Sequence, residues 1–216
     1  MSLLLLMFLG CVPGKCHSMN ALAGDAHSLA IGDSLLAWNS GQCQSVTDHA
    51  GLELGVPIEN VAINGTRLLG GEGAIPDQYW DDGWDVVYVD GGANDLNGRC
   101  FSGEGTLDRL VSEDGNSGAM PELVDRIRSD GAEVVVIDYY RVSDRAWYGF
   151  GDCVEIFDRL SIRYQTMVEQ RQGVRFVDLG DVINPEDTPQ AYAYDNLHPG
   201  PKGAQLAGAH VAQAMD

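Results

Sequence analysis

From residue 27 onward, short apolar runs alternate with longer segments that carry their apolar residues on one side. His27 to Ile31 predicts a buried strand running into Gly32, and Leu35 to about Leu54 predicts a helix stopped by Gly55. Ile58 to Ile63 predicts a second strand ending at Asn64-Gly65, and Asp85 to Asp90 a third, bounded by Gly83 and by Gly91-Gly92. Pro121 to Ser129 predicts a helix, because proline is tolerated in a first turn. Glu133 to Tyr139 is an almost continuous β-branched run, as expected of a strand covered on both faces. Cys153 to Gln172 then predicts a helix, Val174 to Leu179 a strand, and Pro201 to Met215 a last helix. Gly98 to Gly118, rich in Gly and Ser, predicts a surface loop.

Strands separated by helical segments imply an α/β fold, a parallel sheet with helices on both faces. In such sheets ligands bind outside the carboxyl ends of the strands. Ser34, Gly65 and Asn94 each follow a predicted strand at that end, so one site should collect them.

The residue types there suit acyl transfer. A serine hydroxyl is a weak nucleophile until a base removes its proton, and His198 is the natural base. Asp195, three positions earlier, can hold the imidazole in one orientation and stabilise its charged form. The backbone N–H groups of Ser34 and Gly65 and the Asn94 amide are candidate donors to an oxyanion. Taken singly, each has a plainer explanation: Ser34 a helix cap, Gly65 a turn, Asn94-Asp95 a turn or cap, His198-Pro199 a loop. Their joint occurrence favours a serine hydrolase. Asp33 should shape the turn around Ser34. His17, His27, His49 and His210 lack comparable neighbours, and the four tryptophans should pack the core or line a cleft. Neither a dinucleotide-binding nor a P-loop pattern occurs, and the cysteine spacing fits no zinc pattern, so no cofactor or metal is expected.

These segments together resemble the SGNH (GDSL) hydrolase family. Gly32-Asp33-Ser34-Leu35, Gly65, Gly92-Ala93-Asn94-Asp95 and Asp195-Asn196-Leu197-His198-Pro199 match its first, second, third and fifth blocks, over about residues 28 to 216. The resemblance implies a flavodoxin-like three-layer sandwich with five parallel strands and hydrolysis of esters or thioesters without a metal. It implies Ser34, Asp195 and His198 as the catalytic set, with Ser34, Gly65 and Asn94 as the oxyanion hole. Arg67 departs from the second block, where small polar residues are common. The family does not fix the substrate. Simple or lysophospholipid-like esters of short to medium acyl chains are expected, with O-acetylated sugars as the alternative and a non-catalytic binding lipoprotein as a third.

Charge removes some partners. With 32 acidic against 13 basic residues, net −19, the surface repels nucleic acids and anionic membranes. The first residues form a separate unit, so the expected division is a leader and arm over 1–26 and a hydrolase domain over 27–216. Leu3 to Leu9 is too short for a spanning helix and resembles a secretory h-region, so export is expected. Leu9-Gly10-Cys11 resembles a lipoprotein cleavage site, at which Cys11 would be lipidated and would anchor the protein to a membrane. Signal cleavage further on, or a mis-assigned start codon, are the alternatives. Four other cysteines permit three pairings. Cys100 with Cys153 and Cys16 with Cys43 are the expected ones, free buried thiols the alternative.

Overall fold

The computed structural model describes residues 27–215. The strands are β1 Ser28–Ile31, β2 Ile58–Asn60, β3 Val86–Val89, β4 Glu133–Ile137 and β5 Val174–Val177. All pair in parallel, in the order β2-β1-β3-β4-β5. The helices are α1 Ser34–Ala37, α2 Val46–Leu54, α3 Ala93–Leu96, α4 Glu104–Leu110, α5 Ala119–Ser129, α6 Val154–Glu169 and α7 Pro201–Gln213.

Both faces of the sheet are covered, as the β-branched runs require. Leu29, Ile31, Val87, Val89, Val134 and Val136 pack with residues of α4, α5 and α6, among them Leu107, Ile127 and Leu160. The alternate positions Ala30, Tyr88, Val135 and Ile137 pack with Val46 and Ala50 of α2 and Ala204, Ala207 and Val211 of α7. Each such buried aliphatic side chain contributes about 1.5–3 kcal/mol relative to exposure. α2 and α7 approach closely because Gly208 has no side chain: a Cβ there would lie 2.5 Å from the His49 Cβ and 2.7 Å from the Val46 carbonyl oxygen.

The expected single helix from Leu35 to Leu54 is broken into α1, a 3-10 turn over Ser40–Gln42, and α2. Asn39 and Cys43 adopt left-handed backbone angles, φ 63° and 57°, which end one helix and delay the next. Ser45 then starts α2 with a reciprocal capping box to Asp48. Inside the expected surface loop Gly98–Gly118, α4 forms because Leu107 and Leu110 fall on one side and bury in the core. β2 stops at Asn60 rather than Ile63, although Val61 and Ile63 still donate to the carbonyls of Ala30 and Gly32. Residues 1–26, expected to be a leader and arm and including Cys11, Cys16 and His17, lie outside the described residues.

Candidate active site

Register builds the site first. Ile31 lies opposite Val89, and Val89 opposite Val136, so the chain leaves β1, β3 and β4 at one level. Gly32 and Asp90 emerge side by side, and a Cβ on Gly32 would lie 1.5 Å from Asp90 Oδ1. Only glycine fits there. The Asp33 N–H donates to Asp90 Oδ1 at 2.9 Å, and the Asp33 side chain caps α1 by accepting from the Leu35 N–H at 3.0 Å. Asp33 therefore shapes the turn that presents Ser34. The Ser34 and Gly65 N–H groups have no hydrogen-bond partner among the described residues.

Asp33 Oδ2 is the hub beneath the serine. It accepts from the Tyr139 hydroxyl at 2.7 Å and from Asn94 Nδ2 at 3.0 Å. Asn94 Nδ2 also donates to the Thr66 carbonyl at 3.0 Å, so both its hydrogens have acceptors within the protein. Asp95 fastens the second-block loop to α3, accepting from the N–H groups of Leu68 at 2.9 Å and Leu69 at 3.1 Å. Burial raises the Asp95 carboxyl above its usual range, against the pull of those two N–H groups and of the Arg67 charge. Asp90 is fully buried, and its Oδ2 has no hydrogen-bond partner among the described residues. Burial, reinforced by the facing Asp33, pushes its carboxyl well above the usual range.

His198 arrives from the far end of the chain on a tight loop. An antiparallel bridge between Tyr192 and Pro199 closes that loop, and the Ala193 N–H donates to the His198 carbonyl at 2.8 Å. Asn196 takes a left-handed φ of 54° at its tip. Asp195 Oδ1 accepts from the N–H groups of Leu197 at 3.1 Å and His198 at 3.0 Å, which leaves Oδ2 to hold His198 Nδ1 at 2.6 Å. Burial opposes the charge on Asp195, yet the hydrogen bonds from the His198 ring and the two N–H groups keep its carboxyl below the usual range. The Trp38 ring stacks on the imidazole, and Asn39 Nδ2 donates to the Pro199 carbonyl at 3.0 Å.

Ser34, Asn94 and His198 line one cavity, walled mainly by Leu35, Tyr140, Val142, Phe150, Phe157 and Leu197. Its volume is about 30 Å³. Gly65 is exposed and is not among the walls. The Cys100–Cys153 disulfide forms as expected. Cys43 is disulfide-bonded, and its expected partner Cys16 lies outside the described residues.

Several contributors had no sequence signal of their own. Tyr139 ends a strand by pattern and Tyr140 follows it, yet the Tyr139 hydroxyl donates to Asp33 and the Tyr140 hydroxyl to the Leu197 carbonyl. The rule that ligands gather at carboxyl ends could have flagged both. Trp38, expected like the other tryptophans to pack the core or line a cleft, stacks on His198. Of the other tryptophans, Trp84 is buried, while Trp80 and Trp147 are exposed.

Residues 30–206 match the family model described as the GDSL-like lipase/acylhydrolase family, most of the chain. The protein belongs to that family and is an SGNH-type ester hydrolase. No curated protein matches the sequence. Similar solved structures include Est24, a carbohydrate acetylesterase from Sinorhizobium meliloti, with a TM-score of 0.67 and 16% identity over 88% of this chain and 98% of that one. A family 3 carbohydrate esterase from Clostridium thermocellum superposes with a TM-score of 0.61 and 17% identity, covering 88% and 96%. A protein assigned to the G-D-S-L lipolytic family from Desulfitobacterium hafniense gives 0.61 and 12%, covering 87% and 98%. At these identities the likeness carries the fold.

Proposed function

We propose that the protein is a serine esterase that passes a short acyl group, acetyl above all, through an acyl-enzyme on Ser34. The observation that carries this is the Asp195–His198 pair facing the same small apolar cavity as Ser34. His198 Nε2 takes the Ser34 hydroxyl proton as Oγ bonds to the ester carbon, and Asp195 holds the imidazolium. The carbonyl oxygen becomes an oxyanion that accepts from the unengaged Ser34 and Gly65 N–H groups. Asn94 joins them by turning one amide hydrogen away from the Thr66 carbonyl. The C–O bond to the alcohol then breaks, and the alcohol departs with the proton from His198. Water, deprotonated by the same imidazole, bonds to the acyl carbon; the bond to Ser34 Oγ then breaks, the acid departs, and His198 returns the proton to Oγ. Each oxyanion donor of this kind contributes ~10²–10³ to turnover.

The small apolar cavity beside Ser34 favours acetyl over medium or fatty chains. Similarity to carbohydrate esterases, one of them an acetylesterase, adds support for sugar esters among the substrates. The test is hydrolysis of p-nitrophenyl acetate, butyrate and octanoate, beside Ser34→Ala and beside fluorophosphonate labelling followed by peptide mass analysis. The proposal expects label on Ser34, an inactive Ser34→Ala variant and rates falling steeply with chain length. An active variant would remove Ser34 from its role, and preference for octanoate would overturn the acetyl assignment. An unlabelled, inactive wild type would favour a binding protein.

A further inference from the structure

Beside the cavity, three large aromatic side chains stand in solvent. Trp147 is 48% exposed, Tyr148 65% and Tyr194 73%. They form one group. The Trp147 ring centroid lies 5.6 Å from that of Tyr194 and 6.3 Å from that of Tyr148, at 76° and 73°. Burying them on a neighbour within the chain would remove a large apolar area from water, so their exposure needs an explanation.

Their backbone is held firmly. The Trp147 N–H donates to the Asp195 carbonyl at 3.1 Å, so the tryptophan is tied to the residue that orients His198. Tyr194 immediately precedes Asp195, and Phe150, three residues after Trp147, is a wall of the acyl cavity. The Cys100–Cys153 bridge pins the far end of the same 3-10 segment, Trp147–Cys153. Tyr148 itself sits in the left-handed region, φ 62° and ψ 18°, a conformation that costs a bulky residue on the order of 1–3 kcal/mol. The fold tolerates that strain where it displays a ring beside the candidate active site.

We infer that Trp147, Tyr148 and Tyr194 form a stacking platform for a neutral sugar ring, which makes the alcohol portion of the ester an acetylated saccharide. The inference rests on the serine-esterase proposal for Ser34. The electron-rich face of an aromatic ring attracts the polarised C–H groups that line one face of a pyranose. A platform fixed before binding loses little entropy when the sugar arrives. Charge selects a neutral occupant over a membrane: residues 141–153 carry Arg141 and Arg145 against Asp144 and Asp152, while the whole chain carries −19. A lipid surface rich in anionic headgroups would be repelled.

The test compares O-acetylated xylo-oligosaccharides with p-nitrophenyl acetate, using wild type, Trp147→Ala, Trp147→Phe and Tyr194→Ala. The ratio of kcat/KM for the oligosaccharide to that for p-nitrophenyl acetate should fall at least tenfold in both alanine variants, through KM. Trp147→Phe should restore most of it. Unacetylated xylohexaose should quench tryptophan fluorescence of Ser34→Ala protein, and Trp147→Ala should abolish the change. An unchanged ratio together with no xylohexaose binding would overturn the platform while leaving Ser34 untouched. Fluorescence shifts with phosphatidylcholine vesicles but not with xylohexaose would overturn it in favour of a lipid surface. Failure of the underlying esterase proposal would look different: p-nitrophenyl acetate turnover that survives Ser34→Ala.

Discussion

The indole of Trp38 lies flat on the imidazole of His198, with ring centroids 3.9 Å apart and planes 5° from parallel. The contact is possible because α1 ends at Ala37, where Trp38 turns to extended backbone and Asn39 to a left-handed angle. Asn39 then reaches 160 residues along the chain to the Pro199 carbonyl. Two side chains from one turn thus clamp the loop that carries the proposed base.

An aromatic face stabilises a cation by about 0.5–2 kcal/mol, so Trp38 should favour the imidazolium that forms as Ser34 gives up its proton. Trp38→Ala is expected to lower kcat about 2- to 30-fold with little change in KM, and Trp38→Phe to recover most of the loss. Steady-state kinetics on p-nitrophenyl acetate would decide this, with thermal melting to check the fold. Wild-type kcat in the alanine variant would leave the stack a packing contact only.

Asp195 divides its work between two oxygens. Asp195→Asn retains an acceptor for the N–H groups of Leu197 and His198, so the loop should keep its shape. What it loses is the carboxylate oxygen at His198 Nδ1. Turnover should fall by ~10³–10⁴, with a melting temperature close to wild type. A loss under tenfold would show that the ring does not depend on this carboxylate for its orientation.

Asp138, buried at the end of β4, should make stability depend on pH. Burial raises its carboxyl from 3.8 to about 7, partly offset by hydrogen bonds from Ser161 and the Tyr139 N–H, with Asp178 and Asp158 adding to the rise. The folded protein therefore holds this proton where the unfolded chain has released it, and stability is lost as pH rises from about 4 to 7. Above 7 the penalty is constant. Asp138→Asn can still accept from Ser161 and should be more stable than wild type at pH 8 by up to a few kcal/mol. The advantage should shrink toward zero near pH 4. Urea unfolding at four pH values would measure it, and a difference independent of pH would refute the assignment.

The Cys100–Cys153 bridge closes a loop of 53 residues, for which chain entropy predicts a stabilisation of about 4 kcal/mol. The double variant Cys100→Ser, Cys153→Ser should melt well below wild type. It should also raise KM for short esters, because Phe150 on the bridged segment is a wall of the cavity. Peptide mapping without reductant should recover the two cysteines linked. Two free thiols would disprove the pairing.

Much of the architecture was legible in local pattern. β-branched runs bounded by glycines marked the strands, and the helices between them implied parallel pairing. Gly32 was readable as part of a motif, but its reason is the Asp90 carboxylate lying where a Cβ would go. The apolar pattern of Leu35 to Leu54 predicts one unbroken helix, and the left-handed angles at Asn39 and Cys43 that interrupt it leave no such mark in that pattern. The capping box of Ser45 and Asp48 was the available clue. Likewise Leu107 and Leu110 form a helix only because a core is there to receive them.

By itself, the sequence determined the order of elements, the sheet they build and the residues placed at its carboxyl ends, because these depend on periodicity and on glycines within a few positions of one another. Tertiary structure alone decided what surrounds those residues. The Trp38 stack, the hub at Asp33, the size of the cavity beside Ser34 and the exposed aromatic group near Asp195 are each assembled from distant segments. No local pattern encodes them, since their geometry is set by how closely packed layers bring separate loops together.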